Sequence, residues 1–157
     1  MEKHLSRYIE QSAEKITKQY FEADVVSKGV REEPMLTINQ EVIVAMNITG
    51  AVDGLVLVGM KQKDAMFLAK KVMELQGFDD LEGWDEFAQS AILEYVNEVM
   101  GNVTELLSDD KIIADITIPK LASKEMYNGV KKQIRAFELD IEKENRIIEL
   151  EYKIYQP

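Results

Sequence analysis

Cysteine is absent from the 157-residue chain. That excludes disulfides, thiolate nucleophiles and cysteine-based zinc sites, and it fits a reducing compartment. Histidine occurs once, at His4, so a Ser-His-Asp triad or a histidine zinc site lacks its companions. Basic charge is scarce: 19 Lys and Arg stand against 29 Asp and Glu, a net of −10. The Lys70-Lys71 and Lys131-Lys132 pairs are scattered, so no basic stripe is available to neutralise nucleic-acid phosphates or an anionic membrane surface. No apolar run approaches the roughly 20 residues needed to span a bilayer. Charges are spread through Met1 to Tyr20, so no signal peptide is read there and the expected location is the cytoplasm. No glycine-rich phosphate loop is present, because Gly50-Ala-Val-Asp-Gly54 is short and hairpin-like.

What is present suffices for one folded domain over residues 1–157: 46% of the residues are hydrophobic, enough apolar surface to offset chain entropy. Leu5, Tyr8, Ile9, Ala13, Ile16 and Tyr20 recur at three-to-four spacing and predict a helix over about Glu2 to Phe21. Val25 to Pro34 reads as a short strand and turn. Glu41 to Ile48 and Leu55 to Met60 read as strands joined by a hairpin turn. Gln62 to Gln76 is predicted helical with Gly77 as its C-cap, and a longer helix is predicted from about Gly83 to Ser108. A strand over Lys111 to Ile118 follows, ended by Pro119, then a loop to Val130. Alternation predicts two final strands, Lys132 to Ile141 and Arg146 to Tyr155, across the polar turn 142–145. Such an order predicts an α/β layered domain (α+β type) with a mostly antiparallel sheet, two central helices and an N-terminal helix. The last strand, long and regular, is expected to be an open edge that pairs with a second copy in a homodimer.

The 83–108 segment carries the functional signal. At about 100° per residue, Ala88, Ile92, Tyr95, Val96, Val99, Val103 and Leu106 share an arc of roughly 100°, a core stripe. Ser90, Glu94, Asn97 and Gly101 fall nearly opposite, spaced four, three and four, so that each stands above the next. A polar outer face is ordinarily just solvated. Here, however, Asn is a mediocre helix former and an interior glycine costs about 1 kcal/mol relative to alanine. Gly101 also removes bulk where another backbone could approach.

Other candidates have structural readings. Asp79, Asp80, Glu82, Asp85 and Glu86 lie before and into the helix, where acids favour its dipole. Asp109-Asp110 reads as a polar turn, Met60, Met66, Met73 and Met100 as packing, and Trp84 as an anchor at the helix start. Glu142 and Asn145 repeat the Glu-x-x-Asn spacing, but in a turn that cannot stack them on one helix face.

The run Ser90-Ala-Ile-Leu-Glu94-Tyr-Val-Asn97-Glu-Val-Met-Gly101-Asn102 resembles the signature helix of the CheX/CheC/FliY phosphatases of bacterial chemotaxis. Ile48-Thr-Gly-Ala-Val-Asp-Gly-Leu-Val-Leu-Val-Gly resembles the hairpin before the first central helix of CheX proteins, and the likeness extends over about residues 3 to 155. One motif rather than two resembles the CheX branch. The resemblance implies a CheC-like layered fold and hydrolysis of the aspartyl phosphate of a CheY-like response regulator. It implies Asn97 as the residue that orients water and Glu94 as the contact to the receiver's active-site lysine, with Ser90 and Gly101 permitting close approach. It implies no cofactor and no metal ligand of the chain's own, the Mg²⁺ being held by the partner receiver, and a homodimer. A non-catalytic receiver-binding adaptor and a flagellar-switch-type structural dimer are the alternatives.

Overall fold

The computed structural model describes residues 2–141 and 144–155. The first helix, α1 (Glu2–Phe21), buries the apolar stripe read from its sequence: Leu5, Tyr8, Ile9, Ala13, Ile16 and Tyr20 are each at most 8% exposed. The segment after it is richer than expected, with two strands, β1 (Val25–Ser27) and β2 (Arg31–Met35), separated at Gly29 by backbone at φ 92°. Pro34 has no N–H to give a ladder, and the β2 register slips between Glu33 and Met35.

The hairpin β3 (Val42–Gly50) and β4 (Gly54–Met60) forms as predicted, paired from Val42↔Met60 to Ile48↔Gly54. Two helices follow. α2 (Gln62–Leu75) ends in a Schellman motif, with Phe78 N–H donating to Met73 O and Gly77 N–H to Glu74 O. Gly77 takes the required left-handed φ of 87°. α3 spans Glu86–Asp109, so it starts three residues later than the sequence suggested. Asp85 is the reason: its side chain accepts the Ala88 N–H at 3.0 Å, leaving Gly83 and the half-buried Trp84 outside the helix.

The strand expected over Lys111 to Ile118 shrinks to β5 (Ala114–Ile116), and the expected loop contains β6 (Lys120–Ala122) and a 3-10 turn, Lys124–Tyr127. Lys111, at φ 63°, turns the chain out of α3, and after the Thr117 N–H bond to Asn47 O the ladder is interrupted at Ile118 and Pro119, the latter having no N–H to donate. The chain closes with β7 (Lys131–Ile141) and β8 (Arg146–Ile154).

The sheet runs β1-β7-β8-β4-β3-β5, with β2 also on β7 and β6 also on β3, and each of these pairings is antiparallel. The final strand is therefore not an edge. β8 lies between β4, which pairs with Ile148 to Ile154, and β7, which pairs with Arg146 to Tyr152, so both of its sides are taken over its central residues. The homodimer expected through that strand cannot form there; the open borders are β1 with β2 and β5 with β6.

One face of the sheet carries the helices. Val44, Met46, Val56, Val58, Leu150 and Tyr152 share a single core with the buried faces of all three helices. α1 and α2 both pack against α3. α1 is tied to α3 by Ser12, which donates to Val99 O at 2.6 Å, and by Thr17 with the Tyr95 hydroxyl at 2.6 Å. Burial pushes the Tyr95 hydroxyl up to about 12, against the lowering effect of Thr17.

The opposite face is covered as well. Ile43, Ala45, Leu55 and Leu57 pack there with Ile38, flanked by Leu36, Tyr127 and Val130. Two-sided cover explains why Val42 to Met46 of β3 and Leu55 to Met60 of β4 are continuous apolar runs. The segment leading into β3 is fastened by Glu151, 2% exposed, whose carboxylate accepts the Thr37 N–H at 3.0 and 2.9 Å and its hydroxyl at 2.6 Å. Burial raises the Glu151 carboxyl above its usual value of 4.5, and the Thr37 bonds oppose that only in part.

A raised folded value means that the folded state holds the proton more tightly than the unfolded chain. The contribution of Glu151 to stability is thus complete below about pH 4.5 and is lost as the pH rises through the raised value. Glu151→Gln, which carries no charge, should flatten the decline of the urea unfolding midpoint between pH 4.5 and neutrality; curves that stay parallel for the two proteins contradict the burial effect.

Candidate functional site

α3 is positioned from its apolar side. Ala88, Ile92, Tyr95, Val96, Val99 and Val103 are at most 1% exposed, while Leu106 is half-buried against the same core. With 3.6 residues per turn, burying that stripe forces the opposite residues outward. Ser90, Glu94 and Asn97 are exposed and Gly101 is partly exposed. Residues 90 to 101 cover roughly 16 Å of helix axis. All four positions singled out in the sequence therefore lie along one solvent-facing track.

Ser90, Glu94 and Asn97 line one open groove of about 430 Å³. Leu93 lies beside them on α3, and the other wall consists of residues 116–119, a surface that local sequence reasoning missed. Ile118 had been read as a strand end and Pro119 as its terminator. Leu93 gave the one available signal, since it is an apolar residue four before Asn97 beside the polar track. The groove itself arises because β5 docks beside α3 through the tertiary fold.

Among the described residues, no hydrogen bond or ion pair occupies the Glu94 carboxylate or the Asn97 carboxamide. One donor–acceptor group and one anion are thus presented together. The neighbouring carboxylate, Glu98, is already engaged: the Tyr20 hydroxyl on α1 donates to Glu98 Oε1 at 2.5 Å. Burial, that hydrogen bond and the charges of Glu98 and Glu94 together push the Tyr20 hydroxyl well above the ordinary tyrosine range. Tyr20 therefore stays a proton donor, and Glu94 is the free carboxylate on this part of the helix.

Gly101 does not belong to the groove lining, but it continues the track. A Cβ at Gly101 would meet nothing within 4 Å. Nothing among the described residues calls for glycine there, although it costs about 1 kcal/mol relative to alanine in a helix.

The remaining candidates take structural places. Asp85 caps α3, and Asp79, Asp80 and Glu82 are exposed. Asp110 accepts a hydrogen bond from the Tyr8 hydroxyl and lies 3.7 Å from the His4 ring. Met60 and Met100 are fully buried, and Met66 and Met73 pack on the core. Asn145 stands in a turn at φ 53°, and Glu142 lies outside the described residues. Among the described residues no group of three or more His, Asp or Glu is arranged to hold a metal ion, and no helix is long and apolar enough to cross a membrane.

Solved structures share the fold over nearly the whole chain. The chemotaxis protein CheX from Desulfovibrio desulfuricans matches with a TM-score of 0.77 at 13% identity, covering 96% of this chain and 99% of that one. A chain of the CheX-CheY-BeF3-Mg complex from Borrelia burgdorferi matches with a TM-score of 0.76 at 19% identity, covering 96% and 97%. FliY from Thermotoga maritima matches with a TM-score of 0.65 at 23% identity, covering 89% and 81%. At these identities the likeness is one of fold. No curated protein matches the chain significantly in sequence. The family model for the chemotaxis phosphatase CheX matches residues 42–142, from the start of β3 through α3 to the end of β7, and the chain therefore belongs to the CheX family of chemotaxis phosphatases.

Proposed function

We propose that the chain hydrolyses the aspartyl phosphate of a CheY-like receiver domain in the cytoplasm, with Glu94 and Asn97 as the residues that act on the receiver. The observation that carries this reading is a single one. A carboxylate and a carboxamide, three residues apart on a helix locked by its buried face, open into one solvent-accessible groove with no partner among the described residues.

An amide is neither a general base nor a nucleophile at neutral pH; it donates and accepts hydrogen bonds. Such a group is sufficient where the bond to be broken is already labile, as in a mixed carboxylic–phosphoric anhydride. Phosphoryl transfer depends mainly on positioning and electrostatics around an in-line nucleophile. The Asn97 carbonyl oxygen accepts a hydrogen bond from water and directs the water's lone pair at phosphorus. The bond from phosphorus to the aspartyl oxygen breaks, the carboxylate leaves, and the water proton ends on inorganic phosphate. Glu94 pairs with the receiver's active-site lysine, which sets the helix in register and frees the phosphoryl oxygens. Ser90 and Gly101 allow the two backbones to approach. Mg²⁺ belongs to the receiver and supplies charge neutralisation there.

The test is phosphate release from receivers phosphorylated with acetyl phosphate, with and without the chain. Acceleration by catalytic amounts of the chain supports the reading. Binding without acceleration leaves the adaptor alternative, and neither leaves the structural dimer.

We also infer a homodimer through an open sheet border, that of β1 with β2, which leaves the groove beside β5 and β6 free for the receiver. Sedimentation should give twice the monomer mass of 18.0 kDa; a species at the monomer mass at all concentrations contradicts it.

A further inference from the structure

The groove beside Glu94 and Asn97 has a property that their chemistry does not use. No lysine or arginine lines it. A free phosphoryl anion entering it would meet the Glu94 carboxylate and no compensating cation, so its occupant must bring its own positive charge. That condition favours a macromolecule that carries both the phosphoryl group and the cations around it over a small acyl phosphate.

The second wall of the groove is mostly apolar, formed by Ile116, Ile118 and Pro119 with Thr117, and its Ile118 is 81% exposed. An exposed isoleucine by itself is ordinary. This one stands on backbone that is pinned at both ends. β5 pairs with β3 up to Ile48↔Ile116, and β6 resumes on β3 at Ala45↔Lys120. Between them Thr117 donates its N–H to Asn47 O at 2.9 Å and accepts the Asn47 N–H at its hydroxyl at 2.9 Å. Pro119 is buried. The three residues 117–119 thus form a short excursion that projects Ile118 beside the polar pair on a rigid base. A side chain held in this way loses little further backbone freedom on docking, which is what an anchor requires.

We propose that Ile118 is the apolar anchor for the phosphorylated receiver, packing on surface next to the phosphoaspartate while Glu94 and Asn97 face the phosphoryl group. This rests on the phosphatase reading above for the identity of the partner. Ile118 makes the same contact before and during the reaction, so its removal weakens binding without changing turnover of the bound complex.

The experiment measures steady-state phosphate release against receiver concentration for the natural chain and for Ile118→Ala, Ile118→Asp and Ile118→Leu. It also measures receiver affinity in an Asn97→Ala background, with acetyl phosphate and Mg²⁺ present. Ile118→Ala should raise KM and Kd about tenfold, which is 1.4 kcal/mol, and Ile118→Asp more. Ile118→Leu should stay near the natural value, kcat should be unchanged in all three, and melting temperatures should agree because the side chain is solvent-facing. An unchanged KM and Kd in Ile118→Asp overturns the proposal, as does a fall in kcat at constant KM. A shift in sedimentation with unaltered receiver affinity assigns Ile118 to a contact between copies and also overturns it. If no receiver is dephosphorylated but Ile118→Asp still weakens binding, the phosphatase reading fails and the anchor stands; if nothing binds, both fail.

Discussion

Asn97→Ala is expected to lower receiver phosphate release by at least about 100-fold, the scale on which loss of alignment of a reacting group costs rate, while the variant still binds the receiver. The split follows from chemistry. The carboxamide touches the attacking water rather than the partner's framework, so its loss removes an interaction made during reaction and leaves those made on docking. No folding defect should accompany it, because the side chain is exposed and no hydrogen bond from the described residues reaches it.

Glu94→Ala should behave in the opposite sense. Truncating one partner of a desolvated, hydrogen-bonded charge pair costs about 2 kcal/mol or more, so affinity for the phosphorylated receiver should fall about 30-fold. Calorimetric titration alongside the release assay separates the two. Full activity in Asn97→Ala ends the mechanism given to it, and unchanged affinity in Glu94→Ala removes the proposed lysine contact.

On the other side of the same helix, Ile92→Ala should cost about 3 kcal/mol of stability. Ile92 is 0% exposed in the core shared by the helices and the sheet, and truncation there loses transfer free energy and leaves a cavity. For a chain of this length that lowers the melting temperature by about 10 °C. The groove residues are untouched, so kcat per folded molecule should match the natural chain well below the transition. A melting temperature within a degree or two would mean that α3 is not held by this face. Together with Asn97→Ala, the comparison separates the two faces of α3: one change affects rate without stability, the other stability without rate.

Local pattern was enough for α1, the β3–β4 hairpin, α2 and the body of α3, because each carries its period within its own residues. The outward track of Ser90, Glu94, Asn97 and Gly101 was legible for the same reason. Once Ala88, Ile92, Tyr95, Val96, Val99 and Val103 are buried, 100° per residue leaves those four no other side. Family membership was legible from the run 90–102, since it is a property of sequence.

Other features were decided by partners distant in the chain. β1 and β2 exist because β7 pairs with them. β5 and β6 are three-residue strands whose hydrogen bonds come from β3, some 70 residues earlier. The place of β8 was decided in the same way: alternation identifies a strand with one buried face, but it carries no information on what lies at either side, and only the sheet order shows β4 and β7 there. The second wall of the groove and the exposure of Ile118 belong to this class as well. A helix period can say which side chains leave the core, but only the packing of the chain can say what they face when they do.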